Sequence, residues 1–269
     1  MEDNKKLRIL ITGGLGFIGS NLAHHLVKDG HRVSLIDILE PTSGGNLYNI
    51  QGIEQDVELL AGDIEDFSFL CRSILKSDMV INCAARTSHQ NSMKEPLSNI
   101  DVNCTGVINL LEAVRRFNPA CKVIQIGTTT QMGVLSYSPA DENHPEFPLD
   151  IYSANKTVSE KYVQIYSNSH AVRTAVLRLP NIYGPRAAIH SPEFTFNNFF
   201  IGLALQQKNI TVFGDGSQLR NVLYIDDAIR ATMAMMDPAA DGGVFIAASD
   251  KHYSVAEIAE TTVRVIGGG

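Results

Sequence analysis

Two clusters in the 269-residue chain place reactive side chains at spacings that chemistry can use. In Tyr152-Ser153-Ala154-Asn155-Lys156 a phenol and an ammonium stand four residues apart, on one face of a helix. A tyrosine acting as a base near neutral pH must fall from about 10 to about 7, and a neighbouring Lys⁺ is one means of lowering it. With eight tyrosines in the chain, such a pair arises by chance about 0.3 times, so it needs support from elsewhere. That support comes from Thr12-Gly13-Gly14-Leu15-Gly16-Phe17-Ile18-Gly19. Gly13 permits a tight turn, Gly16 lets backbone approach a pyrophosphate, and Gly19 lets a helix pack closely on a strand. The helix start supplies N–H groups and partial positive charge for phosphate. Asp37 follows eighteen residues after Gly19, at the end of the next apolar run, where a carboxylate meets ribose hydroxyls and repels a 2′-phosphate. The expected cofactor is therefore NAD.

Stepping outward, apolar runs of strand length alternate with helical stretches. Residues 7–12, 32–37, 57–61, 79–83, 122–127 and 173–179 read as strands, nearly continuous in apolar character, which predicts a parallel sheet covered on both faces. Helices are predicted over 17–28 (closed by Gly30), 67–73, 96–117, 151–167 and 255–265. The predicted fold is an α/β, doubly wound parallel Rossmann sheet with a smaller C-terminal substrate lobe. Residues 1–178 form the NAD-binding domain and 179–269 the smaller, partly interleaved lobe, where prolines and Gly214-Asp215-Gly216 break the pattern. Gly267-Gly268-Gly269 directly after a helical stretch cannot finish a core, so truncation or continuation is expected there.

Composition narrows the partners. A net charge of −7 argues against a nucleic-acid binder, and no apolar run approaches the length that spans a bilayer. The N-terminal segment lacks the long apolar core of a signal peptide, so the cytoplasm is the expected compartment. Cys71, Cys83, Cys104 and Cys121 form no CxxC pair, and the eight histidines no HxxxH pair. Buried free thiols and no metal site are expected.

The glycine loop resembles the extended short-chain dehydrogenases/reductases, as do Asn82-Cys83-Ala84-Ala85, Val102-Asn103-Cys104-Thr105-Gly106, the Thr128 segment and Tyr152/Lys156. Arg178 to Pro185 and Gly214 to Arg220 extend the resemblance over essentially the whole chain, and within that family it is nearest to the nucleotide-sugar epimerases and dehydratases. The resemblance implies Tyr152 as acid/base, Lys156 as its activator and a nicotinamide-ribose contact, and Thr128 as the hydroxyl bonded to the sugar. It implies Asp63 and Ile64 beside the adenine, and Ala84, Ala85 and Asn103 along the cofactor. Thr87 and Ser88 are expected near the sugar, and Asn181, Asn198 and Arg220 on the substrate diphosphate. It also implies a homodimer through the helix before the fifth strand and the helix carrying Tyr152.

Departures from the family pattern narrow the reaction. The 4,6-dehydratases carry Asp-Glu after the active threonine, and related decarboxylases carry Glu at the second of these positions. Here both are threonines, Thr129 and Thr130. Met132, Asn82 and Asn221 also replace the usual tyrosine, histidine and acidic residue. The expected activity is NAD-dependent 4-epimerisation of a nucleotide-diphosphate sugar, a UDP-hexose or UDP-hexuronate, through a 4-keto intermediate. The alternatives are a 4,6-dehydratase or 4-keto reductase using unfamiliar residues, and a non-catalytic NAD-binding sensor.

Overall fold

The computed structural model describes residues 6–40 and 44–267. Glycines 268–269 and the charged residues 1–5 lie outside these. Strand β1 (Arg8–Thr12) leads into α1 (Phe17–Lys28), β2 (Arg32–Asp37), β3 (Val57–Ala61), α2 (Phe67–Ser73) and β4 (Met79–Asn82). Then come α3 (His89–Lys94), α4 (Pro96–Ile100), a π-helical turn (Asp101–Thr105), α5 (Gly106–Phe117), β5 (Lys122–Thr128), α6 (Ile151–His170) and β6 (Thr174–Leu179). The remaining elements are β7 (Asn181–Tyr183), α7 (Phe196–Leu205), β8 (Leu219–Tyr224), α8 (Ile225–Ala234), β9 (Val244–Ile246), β10 (His252–Ser254) and α9 (Val255–Ile266).

Seven strands form one parallel sheet in the order β3-β2-β1-β4-β5-β6-β9. The direction of winding reverses between β1 and β4, which opens a crevice at the carboxyl ends of those strands. Strand alternation divides the core. Ile9, Ile11, Leu35 and Ile81 pack with Leu22 and Leu26 of α1 and Ile225 and Ile229 of α8. Leu10, Ile36, Val80 and Val123 face the other way, onto Leu70 of α2, Leu110, Leu111 and Val114 of α5 and Val163 of α6. Apolar side chains are therefore needed at consecutive positions, the signature read from the sequence.

A second sheet, β10-β8-β7, belongs to the C-terminal third. The chain does not stay there: β9 returns to the large sheet beside β6, and α8 covers its α1 face. Gly30 closes α1 with φ of +81°, and its N–H donates to the Val27 carbonyl. The predicted 96–117 helix is present without a break but carries a π-helical turn at Asp101–Thr105, and Asn99 and Asn103 both reach from it to the loop after β4. The thiols are also corrected in part. All four are free, but only Cys104 and Cys121 are buried, Cys71 and Cys83 being half-buried. No described helix is long and apolar enough to cross a membrane.

Candidate active site

The carboxyl ends of β1 to β6 open into a cavity of about 620 Å³. Its dinucleotide side begins at the glycine turn. Gly13 holds φ of +64°, and a Cβ there would lie 2.8 Å from the Ala84 amide nitrogen. A Cβ on Gly19 would collide with the Gly13 carbonyl oxygen. Only hydrogen at these positions lets α1 begin against the turn, with its first N–H groups facing the crevice. No acidic residue occupies the first turn of α1, so nothing competes with an anion. Phe17, Ile18 and Gly16 line the cavity with them.

Asp37 lines the same end and is nearly buried. Its carboxylate accepts from the Leu15 N–H (3.0 Å) and the Leu39 N–H (3.1 Å), so it also ties the glycine turn to the end of β2. Two acceptances leave carboxylate lone pairs for a ribose. Asp63, Ile64, Ala84 and Ala85 line the adjoining wall, and Thr87 and Ser88 the opposite rim, with Ser88 capping α3.

The chemical end is built by β5 and α6. Asp150 caps α6 by accepting from the Ser153 N–H at 2.8 Å, which fixes where the helix starts and places Tyr152 in its first turn. The Tyr152 N–H donates to Ser92 Oγ. Tyr152 is 8% exposed, and its phenol faces the same end of the cavity as the Thr128 hydroxyl at the end of β5. Lys156, one turn on, is buried and donates from Nζ to the Ile126 carbonyl at 2.5 Å. Thr128, Tyr152 and Lys156 all line the cavity.

Electrostatics differ from the sequence expectation. Burial pushes the Tyr152 phenol up to about 12, the Thr128 hydroxyl working the other way and Asp150 adding to the rise. Burial takes the Lys156 ammonium down to about 8, partly offset by Cys83, Cys104 and Glu160. The two side chains alone therefore do not bring the phenol near neutrality, because desolvation outweighs any help from a lysine committed to a carbonyl.

Three predicted site residues fall outside the cavity wall. Asn103, in the π-helical turn, accepts from the Arg86 N–H (3.2 Å) and donates to the Arg86 carbonyl (3.0 Å), so it holds the loop after β4. Asn198 is buried on α7 and donates to the Ile182 carbonyl (3.0 Å) and Thr195 Oγ1 (3.1 Å). Arg220 is exposed on β8, and its Nη1 turns back to the Leu219 carbonyl at 2.9 Å. Asn181 does line the cavity. Asn82, Met132 and Asn221 are structural: Asn82 bridges Thr12 and Gln125 across the sheet, Met132 is buried, and Asn221 stitches β8 to residues 249–251.

Sequence reading missed Thr130, Ser153 and Asp150 as members of the site. Thr130 Oγ1 lies 3.1 Å from Thr128 Oγ1 and 2.9 Å from Ser153 Oγ. An aspartate two residues before the tyrosine is the available signal, since it is a helix-cap type at a predicted helix start.

A glycine cradle and a Thr–Tyr–Lys set on one crevice of a doubly wound sheet are the working parts of a dinucleotide-dependent enzyme. The comparisons narrow this class. The family model described as GDP-mannose 4,6 dehydratase matches residues 10–268. A putative UDP-glucose 4-epimerase from Methanocaldococcus jannaschii is 33% identical over 230 residues, covering 85% of this chain and 73% of that protein. A UDP-N-acetyl-alpha-D-glucosaminuronate decarboxylase from Bacillus cytotoxicus is 31% identical over 261 residues, covering 95% and 79%. The crystal structure of the Thermus thermophilus UDP-glucose 4-epimerase in complex with NAD superposes with a TM-score of 0.87 at 25% identity, covering 98% and 84%. The chain belongs to the nucleotide-sugar epimerase and dehydratase family of extended short-chain dehydrogenases/reductases.

Proposed function

We propose that the chain catalyses NAD-dependent 4-epimerisation of a UDP-hexose or UDP-hexuronate. The observation that carries this reading is the side-chain set around the phenol. Thr128, Tyr152 and Lys156 line one end of the cavity, and the two positions after Thr128 hold hydroxyls, where proton removal at C5 or loss of a leaving group would call for carboxyl groups. The UDP-sugar relatives support the substrate class, and the NAD-bound neighbour supports the cofactor.

The residues present fit NAD. The Gly13/Gly19 turn and the α1 start would hold the pyrophosphate, Asp37 the adenosine ribose, Asp63 and Ile64 the adenine, and Ala84, Ala85 and Lys156 the nicotinamide side. Bound NAD supplies an acceptor and later a donor of hydride for the sugar's C4. Tyr152 as phenolate takes the O4 proton and afterwards returns it, while the Thr128 hydroxyl orients O4. Lys156 alone leaves the phenol at about 12, and bound NAD⁺ would supply a second positive charge to lower it. Thr87, Ser88 and Asn181 face the sugar and diphosphate. Asn198 acts from behind, holding Ile182 and Thr195, and Asn103 holds the Arg86 loop.

The protein is proposed to act in the cytoplasm as a homodimer. Met93, Leu97, Ile100, Val158 and Ile165 expose apolar surface along α3, α4 and α6. The test of the activity is incubation with UDP-glucose and UDP-glucuronate without added cofactor, read by NMR and mass. The expected product is the C4 epimer at unchanged mass, with Tyr152→Phe slowed by about 10²–10⁴-fold. A product lighter by water or carbon dioxide, or full activity in Tyr152→Phe, overturns the reading.

A further inference from the structure

The imidazole of His89 stands beside the phenol with one nitrogen committed and the other unused. His89 opens α3 and lines the cavity, its side chain 44% exposed. Its Nδ1 lies 2.8 Å from Asp150 Oδ2. A carboxylate only accepts, so Nδ1 carries the proton. Asp150 is itself held, because its Oδ1 accepts from the Ser153 N–H at 2.8 Å. The His89 ring meets the Tyr152 ring edge-on, at 81° with centroids 4.9 Å apart. The two helices are tied again where the Tyr152 N–H donates to Ser92 Oγ at 3.1 Å. Among the described residues, His89 Nε2 has no hydrogen-bond partner.

That placement selects what Nε2 can meet. A sugar whose O4 reaches the Tyr152 hydroxyl has C4 flanked by the C3 hydroxyl and the C5 substituent. With Nδ1 protonated, the neutral ring presents Nε2 as an acceptor, which suits a hydroxyl hydrogen. The Asp150 carboxylate behind the ring works against a second carboxylate in front of it by like-charge repulsion. The reaction adds a constraint. A hydride that leaves one face of C4 and returns to the other requires the keto sugar to make a half turn about its C1–C4 line. That turn exchanges the places of C3 and C5. One fixed imidazole therefore faces the C3 hydroxyl in one epimer and the C6 hydroxyl in the other.

We propose that His89 Nε2 is the acceptor that holds the sugar in both poses. The substrate is then a hexose with free hydroxyls at C3 and C6, and a hexuronate is disfavoured. This rests on 4-epimerisation at Tyr152. Asp150 acts through His89, setting its tautomer and ring angle, and is a positioning residue.

The test reads affinity by calorimetry on NAD-loaded Tyr152→Phe protein, where epimers interconvert slowly, with UDP alone as the reference ligand. In that background His89→Leu removes the acceptor and His89→Gln keeps one. His89→Leu is expected to weaken UDP-glucose and UDP-galactose each by about three- to tenfold, with UDP unchanged. His89→Gln should recover most of the loss. UDP-xylose and UDP-arabinopyranose, a C4-epimeric pair lacking C6, separate the two poses: one should weaken in His89→Leu and the other should not. Full affinity for both hexoses in His89→Leu overturns the proposal. Equal loss for all four sugars, or loss of UDP binding with them, would mean a distorted site and overturns it too. A loss confined to UDP-glucuronate overturns the hydroxyl assignment. Because affinity is read without turnover, a wild type that binds UDP-glucose more tightly than UDP yet never epimerises it removes the epimerase reading, while the His89 contact stands or falls on the affinities.

Discussion

At the scale of single residues, the site places costly groups where function needs them. Lys156 is 4% exposed with its ammonium lowered to about 8 by burial. An amine whose pKa falls on folding costs stability wherever the unfolded chain would hold the proton more tightly. The cost is full below about 8 and fades as pH rises toward the unfolded value near 10.4. Lys156→Met should therefore stabilise the fold near pH 7 by about 2–3 kcal/mol, with the gain vanishing above about pH 10, while turnover is lost. The Ile126 carbonyl would keep a donor in Gln125 Nε2 at 3.1 Å, so no orphaned acceptor cancels the gain. Thermal unfolding across pH checks this; a destabilised variant at pH 7 would show that the buried ammonium is not the strained group. Thr128, Tyr152 and Lys156 were legible because their types and spacing already state a chemistry. Arg220, expected on the diphosphate, lies exposed on β8 outside the cavity wall, a placement that spacing does not report because it does not say which way a strand side chain leaves an edge. Thr130 and Ser153 were illegible as a pair because only the meeting of β5 with α6 brings their hydroxyls together.

At the scale of elements, α6 does more than carry the phenol. Its inner face holds Glu160, 1% exposed, against Arg178 of β6 at 2.6 Å, with Gln131 and Glu146 joining the pair. Burial alone would raise the Glu160 carboxyl, but the Arg178 bond and charge hold it below its usual range. The turn after β5, which bears Thr130, is thereby clamped to the helix that bears Ser153. The outer side of the same helix exposes Val158 and Ile165, with Leu97 and Met93 on neighbouring short helices. If these form the proposed dimer face, Leu97→Glu with Ile165→Glu should yield a monomer in sedimentation while NAD binding persists; an unchanged sedimentation coefficient would exclude this face. The six longer strands of the large sheet were legible from apolar runs. Strands β7, β9 and β10, three residues each, were not, because so short a run carries no period. The π-helical turn escaped for a related reason: one extra residue per turn barely disturbs a 3.6-residue pattern.

At the scale of the whole molecule, the fold converges the carboxyl ends of six parallel strands on one crevice and closes it with a smaller sheet. The dinucleotide half of that crevice was legible because glycine positions and Asp37 are fixed by backbone geometry. The sugar half is drawn from both parts of the chain, and its polar groups are set by loops such as 84–88 and 187–195. Relatives of this chain carry epimerase, decarboxylase and dehydratase names. The central claim is that hydrogen leaves and returns to the same sugar carbon. The most direct test supplies UDP-glucose deuterated at C4 and locates the label in the product by NMR. The account predicts the C4 epimer with deuterium retained at C4 and none at other carbons. Deuterium found at C6, or lost to solvent, would contradict it.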